Sequence, residues 1–139
     1  MAESFVLDTS AWLALDEREP GAGDVEAILA RAWLGDAEVH ASFVTLTELE
    51  YIRTQEADAE QASELLAFAR SQPATWHHSD DAMCSVAAKF KAAHQLSFAD
   101  SFVVALAQRL DATLVHKDPE IEALGGAVKQ RMLPPKDGT

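Results

Sequence analysis

The sequence predicts an α/β domain with a central, mainly parallel sheet, and three observations carry that prediction. Short apolar runs of β type alternate with longer stretches whose apolar residues recur at helical spacing. The two clearest strand candidates, residues 5–7 and 112–116, each lead within two residues to an aspartate, Asp8 and Asp118. The length of 139 residues supplies one domain rather than two. In sheets of this kind ligand sites gather at the carboxyl ends of the strands.

In chain order, Phe5, Val6 and Leu7 form the first strand. A short helix is expected around 10–17 and a longer one around 23–34, with Val25, Ile28, Leu29, Ala32 and Trp33 on one face. The breaker-rich stretch 19–23 is the loop between them. Residues 39–41 are a weak second strand. Two helices follow within 43–70, with Leu46, Leu49, Tyr51 and Ile52 and then Leu65, Leu66 and Phe68 as apolar positions, and Pro73 ends that pair. Residues 74–77 make a brief strand. Met83, Val86, Ala87 and Phe90 form a helical stripe, repeated one helix later by Ala99, Phe102, Val103, Leu106 and Leu110. After the strand at 112–116, a short helix at 119–124 and a last strand at 127–130 complete a domain spanning 1–133. Residues 134–139 are expected as a flexible C-terminal tail.

Composition narrows the function classes. Hydrophobic residues make up 48% and charged residues 24%, the balance of a folded domain and not of a disordered segment. The longest apolar run, 102–107, is far short of the roughly 20 residues a membrane helix needs. The N-terminus lacks a basic region and meets Asp8 after three apolar residues, unlike a signal peptide. One cysteine, Cys84, excludes an intrachain disulfide and reads as a small buried apolar residue. A cytoplasmic location is expected. The net charge of -12 disfavours a protein that coats nucleic acid through a broad basic face, but it suits a site where carboxylates hold a cation.

Four acids fit that description. Asp8 and Asp118 stand at strand ends; Glu48 and Asp100 come early in helices that leave the same sheet edge. Singly, each has a capping explanation. Thr45 with Glu48 and Ser97 with Asp100 match the capping box, Asp118-Pro119 matches a helix N-cap, and Asp8 can cap the first helix. Jointly they would converge, and two carboxylates at 4 Å repel by about 4 kcal/mol at an effective dielectric of 20. Such a cluster survives by staying partly protonated or by holding a divalent cation. Oxygen ligation by carboxylates suits Mg²⁺ or Mn²⁺, and leftover acids orient metal-bound water, which is equipment for phosphodiester hydrolysis.

The segments Phe-Val-Leu-Asp8-Thr-Ser-Ala, Val-Thr-Leu-Thr-Glu48-Leu-Glu, Leu-Ser-Phe-Ala-Asp100-Ser-Phe-Val-Val-Ala-Leu-Ala and Ala-Thr-Leu-Val-His-Lys-Asp118-Pro-Glu resemble, in order and spacing, the four acidic motifs of PIN-domain nucleases. The VapC-like toxins of toxin–antitoxin pairs are the nearest likeness, over residues 4–131. The resemblance implies an α/β/α sandwich and a Mg²⁺-dependent endoribonuclease acting on RNA with metal-activated water. It also implies a homodimer and inhibition by a cognate antitoxin. By motif, Asp8 and Asp100 are the principal metal-binding acids, and Glu48 and Asp118 complete the catalytic quartet. One departure stands out. Relatives usually carry a small hydroxyl residue two positions before the fourth acid, with Gly or Asn between; this chain has His116 and Lys117. Either His116 supports the metal-bound water or the local geometry differs.

The remaining motifs have plainer readings. His77-His78 on a strand would point to opposite faces, and Ser79-Asp80-Asp81 reads as a helix start. Lys89, Lys91 and His94 form a solvated face or an RNA-backbone contact, with Lys91 and His94 on one side of the helix. Trp12 and Trp33 read as core or interface aromatics. Three other functions compete with the nuclease. A receiver-type signalling domain would explain Asp8 and Lys117, yet the adjacent acids it needs are missing. A phosphatase with an aspartate nucleophile wants an acid where Ser10 stands. A catalytically silent PIN fold that binds RNA or protein is the third.

Overall fold

The computed structural model describes residues 2–136, so the last three residues of the expected tail lie outside the described residues. Five strands, β1 (Glu3–Leu7), β2 (Ala37–Ser42), β3 (Thr75–His77), β4 (Thr113–His116) and β5 (Gln130–Met132), form one sheet in the order β3-β2-β1-β4-β5. Every pairing is parallel. Strand β1 therefore lies at the centre, with Phe5 level with both Val39 and Thr113.

Alternation along β1 divides the core in two. Phe5 and Leu7 face α1 (Thr9–Glu17), α2 (Ala22–Trp33), α3 (Phe43–Glu56) and α4 (Ala59–Arg70). Val6 faces the other way, with Leu114, toward α5 (Asp81–Ala93), α6 (Phe98–Leu110) and α7 (Pro119–Glu122). The result is an α/β/α sandwich whose central strands are buried on both faces, as parallel sheets require. Helix α6 is covered on nearly every side; residues 101–107 are all buried. Trp12 of α1 stacks on Trp76 of β3 with centroids 5.3 Å apart. At the α1–α2 loop Gly21 has φ +96, a conformation that favours glycine, and a Cβ there would come within 3.1 Å of Leu133, which would have to give by a few tenths of an ångström.

Several local expectations are corrected. Trp33 is 66% exposed and so no part of the core, although Ala32 beside it packs on the core cluster. Tyr51 is exposed as well, because α3 buries only Val44, Thr45 and Leu49. Cys84 is exposed and not buried; α5 packs through Met83 and Ala87, and the next residue after Met83 turns away from that face. The last strand is Gln130–Met132, later than 127–130, since Gly125–Ala127 close a 3₁₀ turn first. Helix α3 is capped by Ser42, whose Oγ accepts from Val44 N–H, so Thr45 and Glu48 do not form a capping box. His94 stands just beyond α5 as its extended C-cap.

Candidate active site

Parallel order brings the carboxyl ends of β1 and β4 side by side, and Asp8 N–H donates to the Val115 carbonyl there. Asp8 is buried and caps α1, its Oδ1 accepting from Ala11 N–H at 2.9 Å and Ser10 Oγ at 2.7 Å. The Ser10 hydroxyl in turn accepts from Lys117 N–H at 3.0 Å, tying the turn after β1 to the turn after β4. Asp118 caps α7 by accepting from Glu120 N–H, with Pro119 at the first helical position. Asp100 sits in the first turn of α6 and gives its own N–H to the cap Ser97. Glu48 lies well inside α3, where Thr9 Oγ1 donates to its Oε1 at 2.6 Å and Thr45 Oγ1 stands 3.2 Å from the same hydroxyl.

The four acids therefore line one cleft of about 370 Å³, together with Thr9, Ser10, Leu13, Ile52, Lys117 and Pro119. That volume lies near the lower end of the range for small-molecule sites. Capping and clustering are not alternatives here. Asp8 and Asp118 do both, because an N-cap at the end of a parallel strand is already at the ligand edge.

Electrostatics confirm that the acids feel one another. Burial, reinforced by Glu48 and Asp118, pushes the Asp8 carboxyl from its ordinary 3.8 up to about 7, against the lowering effect of Ser10 and Ala11. Asp100 rises to about 7 as well, first through burial, then through a hydrogen bond with the Asp118 carboxyl and its charge. Among the described residues, no three His, Cys, Asp or Glu side chains form a ready-made ligand set for a metal ion. The donor chemistry nevertheless fits a hard divalent cation: all four are oxygen donors, and a cation would offset the burial and the added repulsion that push two of them up to about 7. Mg²⁺ commonly takes only one or two direct carboxylates and keeps its waters, so a closed cage is not needed.

The two departures from the fourth motif take structural roles. His116 is fully buried; its Nδ1 accepts from Asp118 N–H at 3.0 Å, so Nε2–H donates to Gln130 Oε1 at 2.8 Å. Burial lowers its pKa, which keeps that neutral tautomer in place. Gln130 Nε2 donates onward to the carbonyls of Ile121 and Gly125. His116 thus holds the Asp118 backbone from the core side and does not reach into the cleft as a support for water. Lys117 is engaged with Glu19 at 3.2 Å, its side chain nearly buried. Nothing in the sequence around His116 distinguishes these roles, since they depend on Gln130 and Glu19, which are remote along the chain.

The histidine pair does not join the cleft. His77 Nε2 lies 2.8 Å from His40 Nδ1, and His78 stacks on Phe43. Asp80 caps α5, as expected for a helix start.

A family model described as PIN domain matches residues 5–127. No curated protein matches the chain. Solved structures do. DNA-bound VapBC from Salmonella typhimurium aligns with a TM-score of 0.75 at 17% identity, covering 95% of this chain and 98% of that one. VapBC2 from Rickettsia felis, bound to a promoter DNA fragment, gives 0.74 at 14% identity, over 94% and 98%. VapC20 from Mycobacterium tuberculosis, a sarcin-ricin loop cleaving toxin, gives 0.68 at 20% identity, over 87% and 95%. At these identities the likeness is one of fold.

Proposed function

The chain belongs to the PIN-domain family, and on that premise we propose that it is a Mg²⁺- or Mn²⁺-dependent endoribonuclease, the toxin of a toxin–antitoxin pair. The observation that carries this reading is the single cleft holding Asp8, Glu48, Asp100 and Asp118, two of them held near pH 7. Asp8 and Asp100 would hold the cation, with Glu48 and Asp118 beside them. A bound divalent cation supplies a Lewis acid for the phosphoryl oxygen and lowers the pKa of water.

The chain's own residues do the rest. Ser10 and Ala11 fix Asp8 through Oδ1 alone, which leaves Oδ2 without a hydrogen bond among the described residues. Thr9 fixes Glu48 through Oε1. Asp100, whose carboxyl is raised to about 7, can take up or release a proton near neutral pH. Partners follow from the same reading: RNA as substrate, a cognate antitoxin as inhibitor, and a second copy of the chain in a homodimer. The VapBC structures support the antitoxin part, and the site of action is the cytoplasm.

The purified protein should cleave structured RNA with Mg²⁺ or Mn²⁺ and stop with EDTA. Asp8→Asn and Asp100→Asn should each abolish cleavage with the fold intact, whereas Asp81→Asn should leave it near wild type. Inducing the wild type alone should arrest growth, and the two inactive variants should not. Equal cleavage by wild type and Asp100→Asn would leave a fold that only binds RNA or protein.

A further inference from the structure

We infer that a groove running from the acidic cleft past α7 to the end of α5 is the track for a single strand of RNA, with Lys91 and Lys89 countering phosphates and Phe98 stacking a base. The inference rests on the ribonuclease reading and adds where the strand lies. Its first support is where the chain leaves cations free. Acids outnumber bases 23 to 11, and ion pairs consume most of the bases. Among the described residues, the only lysines and arginines without an ion-pair partner are Arg70, Lys89 and Lys91. Two of those three are exposed on α5, beside the exposed His94.

The second support is the continuity of the surface. The acidic cleft shares Pro119 with a hollow between His94 and α7. That hollow shares His94, Gln95 and Glu120 with a larger one lined by Lys91. Beyond His94 a further hollow reaches Lys89. The third support is Phe98, 71% exposed and two residues before Asp100, with its ring set edge-on against Phe102 at 5.3 Å. Phe98 lines none of these hollows itself but directly follows Ser97, which lines the larger one. An exposed aromatic next to the route, with cations along it, is the combination that single-stranded nucleic acid uses: stacking for a base and point charges for the backbone. Beyond the acidic cleft, Glu120 is the one acid that lines these hollows among the described residues. An acidic chain gains RNA affinity only through such local charge, since its overall field repels the polyanion.

Binding of a fluorescent single-stranded RNA of about ten nucleotides, matched to typical site sizes, to the full chain in EDTA tests the track apart from the chemistry. Lys89→Gln with Lys91→Gln should weaken binding about fivefold and reduce the slope of log Kd against log salt by about 1.4, two single-strand contacts' worth. Phe98→Ala should weaken it at least about fivefold and Phe98→Trp should restore it. Glu120→Gln should tighten it by about twofold, a sign that a merely structural role would not produce. All four proteins should melt within a few degrees of wild type. An unchanged salt slope in the lysine variant, or unchanged affinity in Phe98→Ala, overturns the track. Displacement of the RNA by polyglutamate of equal charge overturns it in favour of an acidic protein partner. If the variants behave as expected but the wild type cleaves no RNA with Mg²⁺ or Mn²⁺, the track stands and the nuclease reading falls.

Discussion

Asp8 ionises near 7 in the fold and near 3.8 when exposed, so the folded state holds a proton there that the unfolded chain has lost. Its contribution is neutral below pH 4 and grows more destabilising as the pH rises to 7. Asp8→Asn should therefore melt higher than wild type in metal-free buffer, and the gap should widen from pH 4.5 to 7.5, on the order of a few kcal/mol at most. A constant gap would show that Asp8 is not held protonated. Asn keeps an acceptor for Ala11 N–H, so the cap itself survives. His116 makes the opposite test. His116→Phe fills the same space but strands Asp118 N–H and the Gln130 amide oxygen, so it should cost about 1–3 kcal/mol in denaturant unfolding. It should also lower RNA cleavage through misplacement of Asp118, although the ring never meets substrate.

At the scale of single elements, helix starts position three of the four acids, and the caps are open to test. Ser97→Ala should cost about 1 kcal/mol and loosen the first turn of α6, where Asp100 sits. Ser42→Ala should cost a similar amount through α3, whereas Thr45→Val should leave the α3 cap unaffected. Amide exchange at the starts of α3 and α6 would read each loss locally. The helical stripe of α5 is plain from spacing alone, because burial on one face imposes the 3.6-residue period, whereas α6 is buried all round from 101 to 107. Trp33 and Tyr51 obeyed the same spacing and are nonetheless exposed, since a periodic stripe does not reveal where the neighbouring layer ends.

Over the whole molecule, the site is assembled from residues 8 to 118, so it exists only when the sheet is formed. A cation that binds this arrangement and not the unfolded chain should raise the melting temperature with Mg²⁺ concentration. Asp100→Asn should remove that dependence, and a wild-type melting point insensitive to Mg²⁺ and Mn²⁺ would count against the metal. The sequence by itself determined the α/β class, the strand-end position of Asp8, the early-helix position of Asp100 and the cap at Asp118. Each of these is a local matter of periodicity, capping and the chain direction of a parallel crossover. The meeting of the strand ends at Asp8 and Asp118 was likewise expected from the sequence; the tertiary structure shows β1 at the centre with β4 beside it and the four acids lining one cleft. It also decided that Glu48 is held by Thr9 and no cap, that Lys117 is spent on Glu19, and that His116 faces Gln130 in the core. Those partners lie from 14 to 98 residues away along the chain, and contacts at such separations are set by packing between layers, which local pattern does not encode.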